Sequence, residues 1–183
     1  MAILSFDPGG KQVENAETLF YRLVGECINQ WSFVDRELFK ICELLLGTDS
    51  KRTSIVFYSW VNINNHISLV DALLKNALPE DALHERWKPL RKQMYDLLDT
   101  RSIVAHQPAK RTGRADAVGR AFYEYSLHIE PAERLLGRTY KGLRGKNELH
   151  AADLRKHARG IEKLVKRLSK LHGSVERHLK RKK

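Results

Sequence analysis

Cysteine is scarce in this chain: Cys27 and Cys42 are the only two in 183 residues, and they form no CxxC pair. That excludes a disulfide scaffold and a thiolate zinc site, and it fits a reducing compartment, so a cytoplasmic location is expected. Long hydrophobic runs are missing as well. No stretch approaches the roughly 18 apolar residues of a membrane span, and residues 1–10 contain Asp7, Pro8, Gly9 and Gly10 where a signal peptide needs an unbroken apolar core. Neither secretion nor membrane insertion is expected. There is no glycine-rich phosphate loop, no Walker lysine and no GxSxG elbow; Gly137, Gly142 and Gly145 read as turn residues. The paired Glu-x-x-His repeats of di-metal bundles are also lacking, because Asp81-x-x-His84 and the later His150, His157, His172 and His178 do not reproduce them. Neither a metal nor a cofactor is expected, and no internal repeat is present.

Positive charge is abundant, and it is unevenly placed. Residues 1–100 carry 11 Lys/Arg against 14 Asp/Glu, residues 101–150 carry 10 against 5, and residues 151–183 carry 12 against 3, within a formal net charge of +11. A basic field that begins near residue 101 and grows toward the C-terminus calls for an acidic partner, with RNA or another nucleic acid first among them. For residues 177–183 taken alone, a solubilising, partly frayed tail is the better account.

Apolar spacing organises the chain. Leu23, Cys27, Trp31, Val34, Leu38, Ile41, Cys42 and Leu45 keep a helical period over residues 14–46, as one long helix or as two broken near Gly25. A second helix is expected over 52–77, with Val56, Ile63, Ile67, Val70 and Leu74 on its apolar face. A third spans 80–105, with a bend near Pro89 and a stop at Pro108. Lys110 to Arg114 reads as a basic loop. Tyr123, Tyr125, Leu127 and Ile129 then alternate with Glu124, Ser126 and His128 in a strand period, and residues 135–143 are expected to return as a second strand of a hairpin. From about residue 148 the helical period resumes through Leu154, Ala158, Ile161, Leu164, Val165, Leu168 and Leu171. The fold expected is all-α, four-helix-bundle-like, with a small inserted β-hairpin before the last helix. It forms a single domain over 1–183, with a basic loop and hairpin at about 107–146 and a basic helix at about 148–183.

Chemistry concentrates at the end of the third helix, in Leu97-Leu98-Asp99-Thr100-Arg101-Ser102-Ile103-Val104-Ala105-His106. Met94, Leu97, Leu98, Arg101, Val104 and Ala105 recur at three- and four-residue spacing, which puts Arg101 on the core-facing stripe. A cation there needs a carboxylate partner or a crevice that an anion such as phosphate can enter. Lys110, Arg111 and Arg114 follow directly, and Arg155, Arg159, Lys163, Lys166 and Arg167 line the polar face of the last helix; these are the candidate nucleic-acid contacts.

An R-x4-H arrangement with a polar residue after the arginine, at the end of the third helix of an all-α bundle, resembles the HEPN superfamily of nucleic-acid-associated helical domains. The resemblance covers about residues 14–106 and the last helix. Ser102 stands where asparagine or another polar residue often follows the family's arginine. The resemblance implies metal-independent RNA cleavage by attack of the ribose 2′-hydroxyl on the adjacent phosphodiester. His106 would act as general base or acid, since a free imidazole has a pKa of about 6.5. Arg101 would stabilise charge on the phosphate oxygens, and Ser102 would position phosphate or the arginine. Five residues at ~100° each set Arg101 and His106 about 140° apart around the helix and about 7.5 Å along it. One chain does not easily converge them, whereas a twofold homodimer would, as the resemblance also implies.

Asp35 and His66 occupy inward positions too, and with Asn62 they make up a structural polar core in which Asp35 neutralises Arg101 and His66 bonds a neighbour such as Asn62. On that account His106 merely caps the helix, and the protein is a non-catalytic adaptor that binds nucleic acid or a partner protein through its basic face.

Overall fold

A computed structural model of the chain describes residues 5–6, 12–13, 15–78, 82–115, 117, 119, 121–128 and 148–181. In chain order the elements are β1 (Ser5–Phe6), β2 (Gln12–Val13), α1 (Ala16–Leu46), α2 (Ser50–Tyr58), α3 (Ile63–Ala77), α4 (Ala82–His106), β3 (Ala109–Ala115), β4 (Ala121–His128), β5 (Glu148–His150) and α5 (Ala151–Arg181). The described chain is mainly helical and carries a small three-stranded antiparallel sheet. None of its described helices is long and apolar enough to cross a membrane. Two compact units emerge. One comprises Met1–Ile28 and Leu98–Arg159 and holds the three-stranded sheet; the other comprises Asn29–Leu97 and Gly160–Lys183 and is helical. The helices α1, α4 and α5 contribute a segment to each.

In the helical unit, the period of α1 is met by burial. Trp31, Val34, Leu38, Ile41 and Cys42 are all buried, as are Ile67, Val70 and Leu74 of α3 and Trp87, Leu90 and Met94 of α4. Removing side chains of this size from water contributes roughly 1.5–3 kcal/mol each. The Asp71 carboxylate ties α3 to α4: it accepts from Trp87 Nε1 at 2.9 Å and from Arg91 at 2.6 Å, with Lys75 Nζ at 2.8 Å. Burial pushes the Asp71 carboxyl up, but Lys75, Trp87 and Arg91 together outweigh it and hold it below the usual carboxylate value.

One expectation about the helices is corrected, and one open alternative is decided. The single helix over 52–77 is two. Ser59 Oγ donates to the Val56 carbonyl at 2.8 Å as α2 ends, and Asn62 Oδ1 accepts from the Asn64 amide at 2.9 Å as α3 begins. A cap of that kind starts a new helix and resets the phase, which is why Val56 is exposed and not on an apolar face. Conversely, α1 passes Gly25 unbroken. The turn that does end it is Gly47, at φ 61°, where glycine meets no steric penalty. Pro89 lies inside α4 on its exposed side, so its missing N–H faces solvent and not the core.

In the sheet unit, Phe20, Leu23 and Cys27 of α1, Ile103 and Val104 of α4, Leu127 of β4, Leu149 of β5, and Leu154 and Ala158 of α5 form one core. The sheet order is β3-β4-β5, all antiparallel, with Arg111 opposite Tyr125, Gly113 opposite Tyr123, and Leu127 opposite Leu149. The basic loop expected at Lys110 to Arg114 is thus a strand. Its apolar alternation is absent because only Ala109 and Thr112 are even half-buried, and an edge strand covered in Lys and Arg needs no apolar face. The expected first strand from Tyr123 corresponds to β4, which ends at His128. The second strand expected at 135–143 lies outside the described residues, and the partners of β4 are β3 and β5 instead. Asp153 accepts from the His150 amide at 3.2 Å, so α5 starts directly at the end of β5.

Candidate nucleic-acid interface

The last two turns of α4 set the geometry. Ile103 and Val104 are the buried pair. With ~100° per residue, the direction midway between them puts Arg101 and His106 about 110° away on opposite flanks. The stripe expected through Arg101 and Ala105 is therefore shifted: Arg101 and Ser102 are half-buried, while Ala105 and His106 are exposed. An arginine on the flank lets its stem pack while its guanidinium stays hydrated, which avoids the cost of a fully buried cation. The Gln107 amide bonds the Ile103 carbonyl at 2.9 Å and closes the helix, leaving His106 as its last residue.

Among the described residues neither Arg101 nor His106 makes an ion pair or a side-chain hydrogen bond. The carboxylate expected to neutralise Arg101 is occupied elsewhere. Asp35 Oδ1 lies 2.6 Å from His66 Nδ1, and the Trp60 carbonyl lies 2.6 Å from His66 Nε2. The imidazole stacks on Phe57 at 4.0 Å. Each nitrogen of the His66 ring therefore has an oxygen partner. Asn62 is not part of this core: it is exposed and caps α3. Asp35, His66 and Asn62 all belong to the helical unit, whereas Arg101, Ser102 and His106 belong to the sheet unit.

The predicted phosphate contacts fall into two sets. Lys110, Arg111, Arg114, Arg155 and Arg159 are exposed in the sheet unit, and Lys163, Lys166 and Arg167 are exposed in the helical unit. Strand alternation separates Arg111 from Lys110 and Arg114. Arg114 pairs with Glu124, Lys110 Nζ is 3.9 Å from Glu148, and the Arg111 guanidinium lies over the Tyr123 ring at 4.6 Å. Along α5, Lys166 pairs with Glu162 at 2.6 Å and Arg167 donates to Gln93 at 2.5 Å, while Arg155, Arg159 and Lys163 have no ion pair among the described residues.

Two features were not legible in the sequence. On one face of the sheet, His150 Nδ1 comes within 3.1 Å of Glu124, and His128 Nδ1 within 3.6 Å of Glu148, a pairing set by register between strands that sequence spacing does not reveal. On the other, Tyr123 and Tyr125 flank Arg111. The alternation that marked β4 as a strand was the available signal for them. No group of three or more His, Cys, Asp or Glu among the described residues is arranged to hold a metal ion. His157 is buried on α5, and burial pushes its pKa down to about 4. It is a packed neutral ring.

Comparison of the chain with protein-family models, with curated proteins and with solved structures finds no match.

Proposed function

We propose that this is a HEPN-like, bundle-type RNA-binding protein, and that Arg101, Ser102 and His106 form a metal-independent endoribonuclease centre completed between two copies of the chain. The observation that carries the reading is the state of Arg101. It is half-buried in the last two turns of α4, without a carboxylate partner among the described residues, and the carboxylate that a purely structural account would give it is held by His66. A guanidinium so placed has its donor fork available for a phosphodiester.

The chemistry follows from the side chains. His106 accepts the ribose 2′-hydroxyl proton as that oxygen attacks phosphorus, and Arg101 stabilises the charge that builds on the non-bridging oxygens. The bond from phosphorus to the 5′-oxygen breaks, the leaving oxygen takes a proton from an imidazolium, and a 2′,3′-cyclic phosphate and a 5′-hydroxyl result. Ser102, one residue from Arg101, orients the phosphate or the guanidinium. Because Arg101 and His106 lie on opposite flanks of one helix, the arginine of one protomer works with the histidine of the other across a twofold axis. Exposed Arg155, Arg159 and the β3 cations draw the RNA to the sheet unit.

Labelled single-stranded RNA incubated with pure protein in EDTA tests this. Cleavage to cyclic-phosphate ends, lost in His106→Ala, is expected. RNA that is bound yet left intact by the wild type overturns the catalytic assignment and leaves the adaptor in its place.

A further inference from the structure

Along the β3–β4 hairpin, one face of the sheet changes character. Leu127 and Leu149 are buried, and Ala109 and Tyr125 pack against the same core, with the Tyr125 ring 6.1 Å from Phe20. Two residues further out, Tyr123 has left that core and is 57% exposed. Its directly opposite neighbour is Gly113, where a Cβ would stand 3.9 Å from Tyr123 Cε1. The cross-strand position that would ordinarily cover part of the ring therefore has no side chain.

A cation sits on this ring. The Arg111 guanidinium lies 4.6 Å from the Tyr123 centroid, and it also donates to the Tyr125 hydroxyl, which in turn donates to Glu17. Burial, and then the bond to Glu17, push the Tyr125 hydroxyl above its usual pKa, so it stays a protonated donor. Arg111 is thus held between two tyrosines. A guanidinium carries five N–H donors, more than these contacts use.

We propose that this end of the hairpin is a stacking platform for an unpaired RNA base. Tyr123 supplies the exposed ring, and Arg111 anchors that ring and meets the adjoining phosphate. The inference rests on the RNA-binding reading above and adds its substrate class, single-stranded RNA. An exposed aromatic beside a fixed cation matches how proteins hold single strands: any base offers a π-face, and the cation takes the backbone. A base within a duplex has both faces stacked already and cannot use it. The strand position also counts, because Arg111 lies five residues past His106 in the same unit.

Fluorescence anisotropy on the whole protein at constant salt tests the platform with three labelled probes: a short oligouridylate, the same backbone without bases, and an RNA duplex. The wild type is expected to prefer the oligouridylate to the abasic strand. Tyr123→Ala is expected to weaken oligouridylate binding by about five- to a hundred-fold, the effect of losing one aromatic stack, while Tyr123→Phe keeps it. Binding of the abasic strand and of the duplex should be the same in all three proteins. Oligouridylate binding unchanged in Tyr123→Ala, an equal loss in Tyr123→Phe, or a wild type that binds the abasic strand as tightly as oligouridylate each overturns the platform and leaves RNA binding standing. A wild type that binds none of the probes at low salt removes both readings.

Discussion

His157 should make the fold acid-sensitive in a window where most carboxylates do not titrate. It is 5% exposed on α5, beside the core residue Ala158, and burial alone pulls its pKa from 6.5 to about 4. The folded state therefore holds the ring neutral while the unfolded chain takes up a proton below pH about 6.5. The stability that the neutral ring supports is fully present above that pH and is lost as pH falls through the folded value. Each pKa unit corresponds to about 1.4 kcal/mol, so the whole shift amounts to roughly 3 kcal/mol. Between pH 6.5 and 5, before most carboxylates respond, about 2 kcal/mol of it should disappear. Urea unfolding at a series of pH values reads this directly, with His157→Gln as the comparison. The wild type should lose stability across that window, and the variant should lose about 2 kcal/mol less. Equal slopes in the two proteins would refute the buried neutral ring.

Other perturbations separate structural from chemical roles. Asp71→Ala leaves Trp87 Nε1 and the Arg91 guanidinium without their carboxylate and should cost about 3–5 kcal/mol by chemical denaturation, and a change below 1 kcal/mol contradicts its role as the tie between α3 and α4. Arg101→Ala should change stability by no more than about 1 kcal/mol, whereas Asp35→Ala leaves the buried His66 short of a partner and should cost about 1–3 kcal/mol; the reverse order would return Arg101 to a structural ion pair. Gly25→Ala meets nothing within 4 Å on an exposed face of α1 and should raise stability by about 0.5–1 kcal/mol in thermal melts, and destabilisation would mean the face is covered.

The helices were largely legible because burial enforces a period: Trp31, Val34, Leu38 and Ile41 recur at the spacing of one face, and the structure buries them all. The break at residues 59–62 was not legible, because it turns on one asparagine acting as a cap, a choice that local competition decides and apolar period does not record. Strand β3 escaped for the opposite reason. Ala109-Lys110-Arg111-Thr112-Gly113-Arg114-Ala115 has no buried alternation to read, and its strand character comes from pairing with β4. At the candidate site, the α4 terminus followed from Pro108, whereas the stripe expected through Arg101 and Ala105 was shifted, because burial centres on Ile103 and Val104. The partner of Asp35 was not legible either, because two inward polar residues separated by 31 positions give no hint of which meets which.

The central claim is that Arg101 of one chain and His106 of another share a phosphodiester. Mixing two inactive variants tests it. Arg101→Ala and His106→Ala, each unable to cleave labelled single-stranded RNA in EDTA, should recover about a quarter of wild-type activity when mixed in equal amounts and allowed to exchange subunits, because half the dimers then hold one intact site of two. Cleavage that never appears in the wild type, or a mixture that stays as inactive as its components while exchange is shown to occur, would contradict the account.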